Sequence, residues 1–219
     1  MQMIGKNKYG SYSVPESSSW RVCAQQILAG KVYEPDTISY MIENCGDGSI
    51  IHAGTYFGDF LPALSRHCQN TVYAFEPNTE NYEHARATCD MNDCWNVDLH
   101  HYALGNDETM VNLEVTSHGR SAGGISKVVS FASDKTERVK QVRLDDVIPD
   151  EPISILQLDV EGHEALAIEG ALRIIEENNP IIIVEGKNAF DILQQLEYKL
   201  IKHIHLNTVW KRTLNNGET

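Results

Sequence analysis

The sequence has no CxxC pair, no run of basic residues and no apolar stretch long enough to cross a bilayer. Its five cysteines, Cys23, Cys45, Cys68, Cys89 and Cys94, are odd in number and scattered. That argues against disulfide staples or a zinc ribbon and for a reducing compartment. Positive charge is scarce, with 18 Lys and Arg against 31 Asp and Glu and a formal net charge of −13. A surface of that sign repels phosphate backbones and anionic lipid, so neither nucleic acid nor a membrane is an expected partner. A neutral or cationic small molecule suits the charge better. The start, "MQMIGKNKYG", lacks the apolar core of a signal peptide, and a cytoplasmic location is expected. Internal repeats and low-complexity tracts are missing too, and nothing in the composition sets an oligomeric state.

What is present fits one α/β domain over residues 1–219, with 42% hydrophobic and 22% charged residues. Residues 1–45 read as a lead-in, polar at "KYGSYSVPESSSW" and helical around Val22–Leu28 and Thr37–Glu43. Short apolar strands then alternate with helices, the pattern of a parallel sheet covered on both faces. The expected strands are Ser49–Ala53, Thr71–Phe75, Val97–Tyr102, Ile153–Leu158 and Ile181–Val184. Asp59 and Thr79 are placed to cap the helices that follow them, and Pro62 falls in a first turn. "HEALAIEGALRIIEEN" puts Ala165, Ile168, Leu172 and Ile175 on one face of a single helix stopped by Asn179-Pro180. Residues 107–147 read as a β insert, and "YKLIKHIHLNTVWKR" as a closing hairpin.

Three clusters can carry chemistry. In "IIHAGTYFGDF", a strand runs into a loop bracketed by Gly54 and Gly58, where a backbone without Cβ atoms lets a ligand approach. The plainer use of such glycines is close strand–helix packing. Glu76, ending the strand "TVYAFEP", supplies a carboxylate that can accept from both hydroxyls of an adenosine ribose, or can cap the next helix. A nicotinamide dinucleotide needs a third, middle glycine for its pyrophosphate, and Tyr56 stands there instead. S-adenosylmethionine has no pyrophosphate, and its sulfonium suits an acidic chain and a nearby aromatic ring. The third cluster is "ILQLDVEGHEA". Asp159 ends a strand, with Glu161, His163 and Glu164 behind it, while Glu185 ends the next strand. An acceptor hydroxyl must lose its proton during attack, to a base or with metal help. Asp159, Glu161 and His163 are the candidates for that step. Asp159 with Glu185 is the candidate pair for a metal. The alternatives are acids bonded to loop amides and a solvated histidine at a helix start.

On "AGTYFGDF", "AFEPNTENY", "MNDCWNVDLHHYALG", "VRLDDVI" and above all "LDVEGHE", residues 30–186 resemble FkbM-type methyltransferases. The resemblance implies a class I methyltransferase fold: a Rossmann-like, doubly wound sheet, mostly parallel, with an antiparallel carboxy-terminal strand and a β insert. It implies S-adenosylmethionine as donor, S-adenosylhomocysteine as product, and O-methylation of a sugar, glycan or secondary metabolite. By the same analogy His52, Gly54, Thr55, Tyr56 and Gly58 line the donor. Glu76 with Pro77 holds the ribose, Tyr102, Ala103 and Leu104 flank adenine, and Asp159 lies between the methionine end and the acceptor. The family's first-strand acid is His52 here, and its lysine before "LDVEG" is Gln157. Either Asp159 or Glu34 is then expected to take the donor ammonium, unless His52 points away from the site. Residues Thr109–Val142, with Gly123-Gly124, are candidates for an acceptor wall. The competing readings are a nicotinamide-dependent oxidoreductase and a catalytically degenerate binding protein.

Overall fold

The computed structural model describes residues 3–117 and 120–212. Its amino-terminal segment corrects the expectation of a polar lead-in. Strands β1 (Met3–Asn7) and β2 (Gly10–Val14) form an antiparallel hairpin ahead of helix α1 (Val22–Leu28). Tyr12 and Val14 are fully buried in a cluster with Ile27, Tyr56 and Phe57. The polar residues between them are not left to water. Ser11 and Ser13 donate their backbone N–H groups to the side chains of Asn92 and Thr88.

Helix α2 (Pro35–Asn44) leads to β3 (Ser49–Ala53), α3 (Leu61–His67), β4 (Val72–Phe75), α4 (Thr79–Met91) and β5 (Val97–His100). The last strand is two residues shorter than expected, because the chain turns at His101 to begin a second sheet. Strands β6 (Ala103–Leu104), β7 (Thr109–Glu114), β8 (Thr116–Ser117), β9 (Arg120–Ser121), β10 (Lys127–Val129) and β11 (Thr136–Val142) make up the insert. Four of them pair in the order β10-β7-β11-β6, and β8 pairs with β9. The chain re-enters the main sheet after α5 (Leu144–Val147) through β12 (Ile153–Leu158), α6 (Glu164–Glu169), α7 (Leu172–Asn178) and β13 (Ile181–Glu185). Helix α8 (Phe190–Gln195) and the hairpin β14 (Tyr198–Ile204) and β15 (Asn207–Arg212) complete it.

The main sheet has seven strands in the order β14-β15-β13-β12-β3-β4-β5. Strands β13, β12, β3, β4 and β5 are mutually parallel, and β15 runs against them. Alternate residues feed two cores, Ile51, Phe75 and Leu158 on one face and Ile50, Val72 and Ile155 on the other. This explains the near-continuous apolar runs of the central strands. The strand order reverses between β3 and β12, and ligands of open α/β sheets bind outside the carboxyl ends of the strands at such a point.

Three local expectations are corrected by longer-range contacts. Asp59 does not cap α3, because the chain already turns helically at Phe60 and Asp59 is buried beside Cys23. Asn78, not Thr79, caps α4, accepting from the Asn81 N–H at 3.0 Å. The single helix expected after His163 is two. Gly170 lies so close to the insert that a Cβ there would fall 2.0 Å from the Gly105 carbonyl oxygen. Asp145 then caps the second piece from afar, accepting from the N–H groups of Arg173 and Ile174. The break leaves Leu172, expected on the buried face, 40% exposed.

Candidate active site

At the switch point the loops after β3 and β12 are pressed together. The Asp159 N–H donates to the Ala53 carbonyl at 3.0 Å, and a Cβ on Gly54 would lie 1.8 Å from the Asp159 carbonyl oxygen. Gly54 also has φ +82°, so both its conformation and its neighbour require glycine. The second loop glycine, Gly58, has φ +81° and packs against Leu61 and Ala85.

Two adjoining cavities open around this junction. The smaller has a cavity volume of about 40 Å³ and is bounded by Gly54, Glu76, Pro77, the Tyr102–Leu104 segment, and His163. From the insert it receives Leu113, Gly123, Ser126 and Val128. The larger, about 390 Å³, takes in His52, Tyr56, Gln157 and Glu185, with Trp20, Arg21 and Glu34 from the amino-terminal segment. Gly54, Gly124, Asp159 and Glu161 line both. Among the expected donor residues, Thr55 and Gly58 line neither. Thr55 is fully buried and its hydroxyl donates to the His52 carbonyl at 3.3 Å.

Glu76 closes the smaller cavity at the end of β4. Its carboxylate accepts from the backbone N–H of Tyr56 at 2.8 Å and of Asn78 at 2.9 Å, and from the Asn81 side chain at 3.3 Å. A carboxylate has about four acceptor positions, so capacity remains for a ribose hydroxyl. Burial pushes its pKa up to about 7 against these hydrogen bonds. The same Tyr56 amide, which a dinucleotide pyrophosphate would require, is thereby committed. Tyr56 has φ +53° and donates its hydroxyl to Ser18 at 2.6 Å, with Gly123 and Gly124 of the insert over its ring. Asn81 and Asn78 hold that glycine turn in place through Gly123 O and Ser126 Oγ.

His52 faces the larger cavity and not away from it. It stacks on Phe60 and is only 3% exposed, and its Nδ1 is hydrogen-bonded to Gln157 Oε1, its register partner on β12. The amide oxygen fixes Nδ1 as the protonated nitrogen, which leaves Nε2 an acceptor, buried and without a partner. Burial lowers its pKa to about 4, so the ring is neutral at physiological pH.

The carboxylates gather at the aperture between the cavities. Asp159, Glu161 and Glu185 each place an oxygen within 4.8 Å of the others. Burial, a hydrogen bond with Glu185 and the neighbouring charges raise Asp159 well above the usual carboxylate range, and its Oδ1 has no partner. Burial followed by the charges of Glu185 and Glu164 lifts Glu161 to about 7. Asp59 also reaches about 7, chiefly through burial. Glu34, raised by burial, accepts from Thr37 and Asn207. Glu164 is a brace and faces the loop instead, accepting from the N–H groups of Val160 and Gly162. His163 lines the smaller cavity alone, with Nδ1 buried and unpartnered and its pKa lowered by burial. It is therefore apart from the acidic cleft that Asp159 and Glu161 share.

Sequence reasoning missed Trp20, Arg21 and Asp59 as cavity residues. The first two arrive only because the hairpin docks the lead-in across the sheet. Asp59 carried a signal, an acid in the glycine loop, that capping logic absorbed. Glu34 (φ +44°), Tyr56 and Glu161 (φ +53° each) are non-glycine residues in left-handed backbone lining the same cleft, where strain is often stored at functional sites.

Comparison with known proteins agrees with this geometry. The family model for the methyltransferase FkbM domain matches residues 52–205. No curated protein matches the chain. Among solved structures, a methyltransferase FkbM from Methylobacillus flagellatus superposes with TM-score 0.54 at 19% identity, over 75% of this chain and 43% of that one. A Pyrococcus abyssi tRNA (uracil-54, C5)-methyltransferase in complex with S-adenosyl-L-homocysteine gives 0.51 at 12%, over 96% and 43%. A precorrin-6y C5,15-methyltransferase from Geobacter metallireducens gives 0.50 at 13%, over 90% and 98%. The chain thus spans less than half the length of the first two.

Proposed function

Because the chain belongs to the FkbM methyltransferase domain family, whose donor is S-adenosylmethionine, we propose that it methylates a hydroxyl of a small acceptor, such as a sugar, glycan or secondary metabolite. The observation that carries this reading is the aperture. A cavity bounded by Gly54, Glu76 and Leu104 opens past Asp159 and Glu161 into a second, larger one. Donor and acceptor can therefore meet in line, and positioning of that kind supplies much of the rate of group transfer.

The bound donor supplies an electrophilic methyl on a sulfonium. The S–C bond breaks as the O–C bond forms, the sulfur keeps the electron pair and becomes the neutral thioether of S-adenosylhomocysteine, and the hydroxyl proton passes to a base. Gly54 gives the donor close backbone approach. Glu76 has acceptor capacity for the ribose. Tyr102, Ala103 and Leu104 form an apolar wall for adenine. Asp159 is the base, or orients the hydroxyl. Its Oδ1 is unpartnered, and burial raises its pKa well above the usual carboxylate range, the direction that makes a stronger base. Glu161 stands beside it. His163, on the donor side, positions the nucleoside more readily than it reaches an acceptor. The donor ammonium goes to the aperture acids, and its carboxylate to Arg21, the cationic side chain lining the cleft.

A metal-assisted variant has one specific observation in its favour, the close approach of Asp159, Glu161 and Glu185. Transfer of labelled methyl to hydroxyl compounds, followed by NMR of the product, tests the main reading. An O-methyl product formed in the presence of chelator supports it. An N- or C-methyl product sinks the hydroxyl assignment, and loss of activity in chelator selects the metal variant. Net charge disfavours nucleic acid as acceptor, although one structural neighbour is a tRNA methyltransferase.

A further inference from the structure

The larger cavity is far more acidic than a methyl donor requires. Its wall carries Glu34, Asp59, Asp159, Glu161 and Glu185 against one guanidinium, Arg21. These groups come from four parts of the chain: the turn before α2, the loop after β3, the loop after β12 and the end of β13. S-adenosylmethionine brings a sulfonium, an ammonium and a carboxylate, a single net positive charge. These five acids outnumber the positive charges that Arg21 and the donor bring, so the cleft stays acidic after the donor is in place. Buried carboxylates without a counter-charge are costly.

A second, independent feature of the same cavity points to a donor-bearing ligand. His52 is 3% exposed, and its Nε2 is a buried acceptor with nothing to accept from. It lies on the cleft wall with Gln157, to which it is tied. An N–H or O–H group inside the cleft satisfies it. The mouth is different in kind. Trp20 (42% exposed), Val22 (62%), Ile125 (39%) and Leu206 (69%) surround it, large apolar side chains that water covers when the cleft is empty. A bare metal ion gains nothing from such a rim, whereas an organic cation with an apolar body uses both ends.

We propose that the acceptor is an organic ammonium compound, a hydroxylated amine whose charged nitrogen sits among the cleft carboxylates and whose apolar flank lies on the Trp20–Leu206 rim. This rests on the methyltransferase reading and narrows it. An amine held by carboxylates stays protonated and has no lone pair to attack with, so the methyl goes to the hydroxyl. The deep acids thus select oxygen over nitrogen as well as selecting the substrate.

The test is calorimetric titration of the full chain, free and saturated with S-adenosylhomocysteine, using 2-phenylethylamine, its neutral analogue 2-phenylethanol and the anion phenylacetate. The amine is expected to bind roughly 10-fold or more tighter than the alcohol, with phenylacetate undetectable. On the chain saturated with S-adenosylhomocysteine, Glu185→Gln and, separately, Glu34→Gln should each weaken the amine about fivefold or more while leaving the binding of 2-phenylethanol unchanged. Equal binding of amine and alcohol overturns the proposal, as does amine binding that requires added Mg²⁺ and disappears in chelator. Failure of S-adenosylhomocysteine to bind would instead overturn the donor assignment. The amine comparison on the free chain still decides the charge selectivity on its own.

Discussion

Gly54 and Asp159 occupy one point in space from two distant points in sequence, and each constrains the other. A methyl group at position 54 would enter the Asp159 carbonyl, and the residue's φ of +82° adds strain for any L side chain. Gly54→Ala is expected to cost about 1–3 kcal/mol and to weaken S-adenosylhomocysteine binding, read by thermal unfolding and calorimetry together. A variant with wild-type stability and affinity would show that the junction gives way easily. Asp159→Asn keeps the shape and removes the base. Turnover should fall by about 100-fold or more, beyond any loss of product affinity, since general bases contribute on the order of 10²–10⁴. A loss confined to affinity would move Asp159 from chemistry to donor holding. At this scale the sequence was most legible in Gly54, Glu76 and Asp159, because each combines a residue type with a strand end. His52 was legible as a departure from the family pattern, yet its pairing with Gln157 was not, since register between β3 and β12 is set by the whole sheet.

The amino-terminal hairpin shows why some elements escape a linear reading. Its strands have few apolar residues, but the whole of Tyr12 is buried and its neighbours are satisfied by Thr88 of α4 and by Asn92 just past its end, some eighty positions away. Tyr12→Ala should destabilise the fold by about 3–5 kcal/mol, in the range of other buried aromatic truncations. Because Tyr12 packs in one cluster with Tyr56 and Phe57 of the glycine loop, donor binding should weaken too. Loss of stability with unaltered binding would separate the hairpin from the site. The central strands β3 and β12 matched their expected limits, because continuous apolar runs bounded by turn residues encode buried parallel strands directly. Helix limits failed where a partner from elsewhere decided them. Asp145 caps α7 across the insert, and Gly170 breaks the helical run to clear Gly105. No window of sequence around residues 163–178 contains either partner.

Across the whole molecule, burial of acids sets a characteristic response to pH. Asp59, Glu76 and Glu161, each raised to about 7, hold protons that the unfolded chain releases near the ordinary carboxylate range. The folded state therefore binds more protons in that window, and the stability these groups contribute is full below it and lost as pH rises through about 7. His52, lowered to about 4, acts in the opposite sense, contributing fully above its ordinary value of 6.5 and losing that contribution as pH falls toward 4. Of these four groups, only the carboxyls change between roughly 6.5 and 8. The ligand-free protein should accordingly melt at a lower temperature at pH 8 than at pH 6.5, whereas S-adenosylhomocysteine, whose ribose and ammonium favour ionised acids, should bind more tightly at pH 8. Parallel trends would mean that the acids do not face the ligand. The most direct measurement of the central claim is calorimetric titration of the purified chain with S-adenosylhomocysteine, with NADH as the control. The account requires saturable one-site binding of S-adenosylhomocysteine and none of NADH; binding of NADH, or of neither, would contradict it.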